Sequence, residues 1–256
     1  MSVSATAVGI DIGGTGIKGA IVDLATGTLI TDRIKLPTPA GGSPEGILEV
    51  TTTLIEKLGL PDTNVPVGVC FPAVVKHGVT LSAANISKKW IGLEAESLFE
   101  KALKRDITFV NDADAAGYAE AQFGAAKGVS GVALMTTLGT GIGTAILHNG
   151  VLVPNAEFGH LEIDGVDAET RASNSARERE GLSWKEWSKR LQAYYSRLEF
   201  YFTPDLFIVG GGVSKHWEQF LPRLSLATPI VPAVHRNNAG ILGAAALAVR
   251  TIPPLS

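Results

Sequence analysis

The sequence predicts an α/β protein whose architecture is used twice. Strand-like runs alternate with helical ones along the 256 residues. A glycine turn between two strands, GGTGIKGAIV at 13–22, returns as LGTGIGTAIL at 138–147. The surroundings return with it: strand, glycine turn, strand, third strand, then helix and strand, which a duplicated unit explains economically.

Each element has a local reason. VGIDI (8–12), IKGAIVDL (17–24) and GTLITDRIKLP (27–37) read as three strands of an antiparallel meander. Ser43 followed by Pro44 opens a helix that Gly59 closes. VPVGVCF (65–71) is a continuously apolar, buried strand, and VVKHGVTLSA (74–83) is a hairpin. LEAESLFEKALK (93–104) has a helical apolar face, and DITFVND (106–112) is a strand feeding the helix ADAAGYAEAQF. From Val129 a second strand-rich block begins, followed by a polar stretch at 164–182. Ser183 and Glu186 make a capping box for a helix reaching Phe202. PDLFIVGGG (204–212) is a strand ending in three glycines. A short helix starts at Ser214, TPIVPA (228–233) is a strand, and AGILGAAALAVR is the final helix.

Composition narrows the function. Hydrophobic residues are 45%, enough for a real core, and a net charge of −3 gives no global field for nucleic acid or an anionic membrane. A single cysteine, Cys70, excludes a disulfide framework and a multi-cysteine zinc site. No signal peptide and no membrane-length apolar run is read, so the expectation is a soluble, cytoplasmic protein.

Gly14-Thr15-Gly16-Ile17-Lys18-Gly19 matches the G-x-G-x-x-G string of dinucleotide sites. That motif requires a helix after the glycines. A strand follows here, so the dinucleotide reading fails. A hairpin turn remains, whose glycines allow positive φ and close approach of an anion to backbone N–H groups. Gly13, Gly14, Thr15, Lys18, Thr140 and Gly141 are the candidate phosphate-donor residues. Gly211 and Gly212 join them as a third glycine group. Asp11, just before the first turn, is suited to Mg²⁺, directly or through water.

With these motifs in place, the chain resembles the sugar kinase superfamily with the actin and Hsp70 fold, and within it the ROK family. The carriers are Asp11-Ile12-Gly13-Gly14-Thr15 with Lys18, Leu138 to Gly143, Ile208 to Ser214, Val110 to Ala115, and Glu157-Phe158-Gly159-His160. The resemblance implies two duplicated ribonuclease H-like lobes around a central cleft. The small lobe would hold residues 1–111 plus the last helix at 239–256, and the large lobe 112–238. Most ROK proteins follow E-x-G-H with a cysteine-rich zinc loop. Here the region is LEIDGVDAETRASNSARERE, without cysteine. The chain therefore looks most like the bacterial polyphosphate glucokinases, and no zinc is expected. A second departure is Phe71-Pro72-Ala73, where the family often has Pro-Gly.

The resemblance implies phosphorylation of glucose, with mannose as a further acceptor, at the 6-hydroxyl. The donor would be polyphosphate, ATP or both, with Mg²⁺. Asp112 is the expected general base, the alternative being that Asp112 or Asp114 simply caps the helix, and Asp114 is left as the cap or a first-turn acid. Sugar binding is implied for Asn85, Asn111, Asp112, Glu157 and His160, with Glu169 replacing the acid that follows the zinc loop. Trp90 lies in the expected substrate loop or else packs in the core. Lys18, Lys88, Lys89, Lys215, Arg33 and Arg105 are candidates for a cationic polyphosphate groove. The alternatives are a strictly ATP-dependent glucokinase and a sugar-sensing regulator. A regulator needs a DNA-binding segment, and only seven residues precede Val8. Monomer and homodimer both stay open.

Overall fold

The computed structural model describes residues 6–60, 64–83 and 86–249. The first half contains β1 (Thr6–Gly13), β2 (Gly16–Asp23), β3 (Thr28–Leu29), β4 (Ile34–Leu36), α1 (Pro44–Leu58), β5 (Val67–Phe71), β6 (Val75–Lys76), β7 (Val79–Thr80), α2 (Ala95–Leu103), β8 (Ile107–Asn111) and α3 (Asp112–Phe123). Its sheet runs β3-β2-β1-β5-β8, with β4 also paired to β2. β1 and β2 are antiparallel, whereas β5 and β8 add in parallel.

The expected third strand at 27–37 is two strands. Between them the chain leaves the ladder, and the Thr31 hydroxyl accepts the Ile21 N–H at 3.1 Å in place of a backbone carbonyl. α1 follows its sequence signals. The Ser43 hydroxyl accepts the Gly46 N–H at 3.2 Å, and Gly59 ends the helix at φ 60°. Ile47, Thr51, Leu54 and Leu58 form its buried face. Phe71, Trp90, Phe99 and Phe109 cluster in the core beneath. Trp90 is fully buried and donates Nε1–H to the Gly42 carbonyl at 2.9 Å, so it is a packing residue and not part of an exposed substrate loop.

The second half contains β9 (Val132–Leu138), β10 (Ile142–His148), β11 (Val151–Val153), β12 (Glu162–Ile163), β13 (Val166–Asp167), α4 (Ala168–Ala172), α5 (Asn174–Arg179), α6 (Trp184–Phe202), β14 (Leu206–Gly210) and β15 (Ile230–Pro232). Its sheet runs β11-β10-β9-β14-β15, the same path as the first: an antiparallel meander extended by two parallel strands. α6 has the expected capping box at Ser183 and buries Trp187, Leu191, Tyr194, Tyr195 and Leu198 along one face. The stretch at 164–182 holds β13, α4 and α5. The glycine-rich end of β14 leads into a 3₁₀ run, Gly212–Gln219, rather than an α-helix starting at Ser214.

The last helix, α7 (Ala239–Ala248), belongs with the first half. A side chain at Gly9 or Gly68 would strike the carbonyls of Ile241 and Ala244, and one at Gly243 would strike that of Ala115. Glycine lets α7 lie in backbone contact with β1, β5 and α3. Among the described residues, contacts group those up to Ala119 with those from Ala239 on, and Glu120–Asn238 form a second compact unit. The division therefore falls inside α3, beyond the boundary expected at 111. The first turns of α3 pack on α7 through Ala115. Glu120 instead accepts the N–H groups of Ala125 and His235, both in the second unit. No helix among the described residues is long and apolar enough to cross a membrane.

Candidate functional site

In the first unit, β1 and β2 pair as far as Gly13 and Gly16, leaving Gly14 and Thr15 as an exposed two-residue tip. The Thr38 hydroxyl holds the Gly13 carbonyl at 2.5 Å. Gly13 and Gly16 do not adopt positive φ, contrary to expectation. A Cβ at Gly16 would sit 2.7 Å from Lys35 Cε, the mobile end of a long side chain that can swing aside. Behind the turn, Asp11 stands directly across β1–β2 from Lys18, and Lys18 Nζ lies 3.1 Å from Asp11 Oδ2. On the other side, Asp11 pairs in register with Cys70, whose Sγ is 3.8 Å from Asp11 Oδ1. Burial, then the Asp11 charge, raises the Cys70 thiol well above its ordinary range. A thiol in that state is a neutral wall, not a nucleophile.

Asp11 fits Mg²⁺ as a single carboxylate. No group of three or more His, Cys, Asp or Glu side chains is placed to hold a metal ion among the described residues. Mg²⁺ commonly needs one or two protein carboxylates, taking its other ligands from water and phosphate. The Asp11 side chain is 17% exposed and keeps oxygen lone pairs beside its Lys18 contact.

At the β8–α3 junction, Asn111 and Asp112 divide the work. Asn111 Oδ1 accepts the N–H groups of Ala113 at 2.8 Å and Asp114 at 3.0 Å, while its Nδ2 donates to the Ala73 carbonyl at 3.0 Å. The helix cap is thus Asn111, not Asp112 or Asp114. Both ends of its buried amide have backbone partners, which weakens its assignment as a sugar ligand. Asp112 Oδ1 also accepts the Ala113 N–H at 2.8 Å, and the residue remains partly exposed. Asn85 lies outside the described residues.

In the second unit, the corresponding turn is one residue longer. β9 and β10 pair up to Leu138 and Ile142, leaving Gly139, Thr140 and Gly141 in the loop. The two turns are therefore related in position but not in register. α5 braces the longer one: the Ser175 N–H meets the Gly139 carbonyl at 3.1 Å, and its hydroxyl meets the Thr140 carbonyl at 2.5 Å. Glu169, expected at the sugar, accepts the Ile142 N–H through Oε2 at 2.7 Å. Any side chain at Gly141 would strike that carboxylate. Glu169 thus shapes the turn from below, which its sequence position did not reveal.

Glu157, Phe158, Gly159 and His160 form a short 3₁₀ turn after β11. Gly159 is buried against the Ile142 carbonyl, where no Cβ fits, so the motif's glycine joins this turn directly to β10. Desolvation by the surrounding protein raises the Glu157 carboxyl above its usual range, with His160 opposing. His160 Nδ1 lies 2.8 Å from Asp167 Oδ2. Gly211 does adopt positive φ, 82°, but the space above it is filled by the Leu138 backbone rather than left for a ligand. Space beside Gly212 is open.

The basic candidates fare unequally. Lys18 is matched by Asp11. Lys89 borders a groove of about 580 Å³ whose rim also carries Glu45 and Glu49. Lys88 and Lys215 are exposed.

Paired sheets of one topology, each with a glycine turn between its first two strands and with an acid at the head of a following helix in the first, define a sugar kinase of the actin and Hsp70 fold. The sequence pattern of the ROK family matches residues 7–177, and the chain belongs to that family. A polyphosphate glucokinase of Mycobacterium tuberculosis is 47% identical over 94% of this chain and 90% of its own length. The crystal structure of an inorganic polyphosphate/ATP-glucomannokinase from Arthrobacter sp. strain KM is 54% identical, covering 96% of this chain and 98% of that one, at a TM-score of 0.91. A ROK family glucokinase from Streptomyces griseus, in complex with glucose and AMPPNP, shares the fold at 24% identity and a TM-score of 0.81, covering 94% of this chain and 98% of that one.

Proposed function

We propose that this protein transfers a phosphoryl group from inorganic polyphosphate or ATP to the 6-hydroxyl of glucose, with mannose as a second acceptor. The near full-length likeness to the Mycobacterium and Arthrobacter kinases supports the reaction. The observation that carries the mechanism is the division of labour at the head of α3. Asn111 is the helix cap, and Asp112, partly exposed beside it, is the carboxylate we assign to the acceptor. The hydroxyl proton passes to Asp112 as the oxygen attacks phosphorus.

Glu157 and His160 are the sugar ligands of the second unit, the first accepting and the second exchanging hydrogen bonds with hydroxyls. The tips at Gly14–Thr15 and Thr140–Gly141 bind donor phosphates through backbone N–H groups. Mg²⁺, held by Asp11, would neutralise charge on the transferring phosphoryl. We assign the protein to a reducing cytoplasm, where the free thiol of Cys70 is stable.

The test is glucose phosphorylation with nucleotide-free polyphosphate beside ATP alone. Glucose 6-phosphate is expected with polyphosphate. Its absence, with turnover on ATP, would make the protein a strictly ATP-dependent glucokinase.

A further inference from the structure

We infer that Asp167 is a positioning residue that fixes the imidazole of His160 for sugar binding. The inference rests on His160 being a sugar ligand.

The geometry is specific. β12 and β13 form a two-stranded antiparallel hairpin that directly follows the turn carrying His160. The hairpin brings Asp167, the last residue of β13, back to the His160 ring, with Oδ2 2.8 Å from Nδ1. Its other oxygen, Oδ1, accepts the Thr170 N–H at 3.3 Å and caps α4. The Thr170 hydroxyl meanwhile donates to the Asp167 carbonyl at 2.7 Å. The Ala168 N–H donates to the Leu161 carbonyl at 2.9 Å, tying the two ends of the hairpin together. Asp167 is thus held on both sides of its peptide and at one carboxylate oxygen, leaving the second aimed at the imidazole.

The chemical consequence is a defined ring. Asp167 accepts from Nδ1–H, which fixes the neutral tautomer and leaves Nε2 for a ligand. His160 makes no Nε2 hydrogen bond among the described residues, and its side chain is 55% exposed. The groups acting on the ring are the carboxylates of Asp167, Glu169 and Glu157. The Asp167 hydrogen bond is the largest of these effects, and together they hold the imidazole above its ordinary 6.5. A ring fixed in orientation and tautomer loses less freedom when it binds a hydroxyl.

The test compares Asp167→Asn, Asp167→Glu and His160→Ala in the intact protein. Asn keeps the α4 cap, because it caps helices as well as Asp does. Its amide cannot reproduce the charged acceptor. Asp167→Asn is expected to raise the glucose KM about tenfold with kcat little changed, and to lower the His160 titration midpoint seen by NMR. Asp167→Glu should recover part of both effects. His160→Ala should raise the glucose KM at least as far. A glucose KM unchanged in Asp167→Asn while His160→Ala raises it would overturn the positioning role alone. An unchanged KM in His160→Ala would remove His160 as a sugar ligand, and the inference with it. A raised KM in Asp167→Asn without any change in the His160 titration would also overturn it, since Asp167 would then act elsewhere.

Discussion

Lys18 Nζ and Asp11 Oδ2 meet at 3.1 Å across the non-terminal rungs of β1 and β2, directly behind the first glycine turn. The corresponding position in the second half is Thr136, fully buried and hydrogen-bonded to the Tyr195 hydroxyl at 2.6 Å. The two sheets therefore share a path but not their chemistry: where the first carries a partly exposed ion pair between its strands, the second carries a buried, uncharged hydrogen bond from β9 to α6.

On the proposed function, metal and donor charge fall to Asp11 and Lys18 of the first unit. Asp11→Asn should move the Mg²⁺ dependence of the rate to higher concentration. Lys18→Met should raise the donor KM about tenfold, roughly 1.4 kcal/mol, with the glucose KM unchanged. Initial rates across Mg²⁺ and donor concentrations check both.

Asn111 is a cap before it is anything else. Asn111→Ala removes the one oxygen that accepts two helix N–H groups and the donor to Ala73. The expected loss is about 1–3 kcal/mol. Asn111→Asp keeps the acceptor that caps α3 but turns a carboxylate oxygen toward the Ala73 carbonyl in place of the amide donor, so it should recover only part of the loss. Urea unfolding of the two variants separates these outcomes.

Glu157 has a folded-state carboxyl raised above its ordinary 4.5, chiefly by desolvation. Its contribution to stability is fully present below the unfolded value and is lost as pH rises through the folded one. Glu157→Gln should abolish that loss. The variant should be no less stable than wild type at neutral pH, yet bind glucose far more weakly. Denaturation midpoints at pH 4 and pH 7.5, with glucose KM, make the comparison.

Gly159 and Gly139 look alike in sequence and differ in space. Gly159→Ala drives a methyl into the Ile142 carbonyl and should cost about 1–3 kcal/mol or more. A Cβ at Gly139 meets nothing within 4 Å, so Gly139→Ala should change stability by at most about 0.5 kcal/mol. Thermal unfolding of the pair reads this directly.

Glu169 braces the second turn through Ile142. Glu169→Ala leaves that N–H without its acceptor and should raise the donor KM. Glu169→Gln, which keeps a carbonyl oxygen for the same bond, should largely restore it. Steady-state kinetics with both donors provide the test.

Much of this was legible in the sequence where the signal was long or periodic. The α1 caps at Ser43 and Gly59, the α6 capping box and the echo of the glycine turn are all local patterns. The segment at 164–182 was not legible, because α4 and α5 are too short to display a helical period. It holds Asp167, Glu169 and Ser175, which reach His160, Ile142 and the Gly139–Thr140 turn. Each of those contacts exists only once the hairpin and the two short helices are in place. The glycines told a second lesson. Their expected role is positive φ, but Gly141 and Gly159 are set by what lies above their Cα, which only the fold supplies.

The most direct measurement is kcat for Asp112→Asn at saturating glucose, with polyphosphate and with ATP in parallel. A base that serves the sugar hydroxyl acts on the acceptor, so its removal should lower kcat by about 10²–10⁴ with both donors, and by a similar factor in each. A near wild-type rate with either donor would contradict Asp112 as the base.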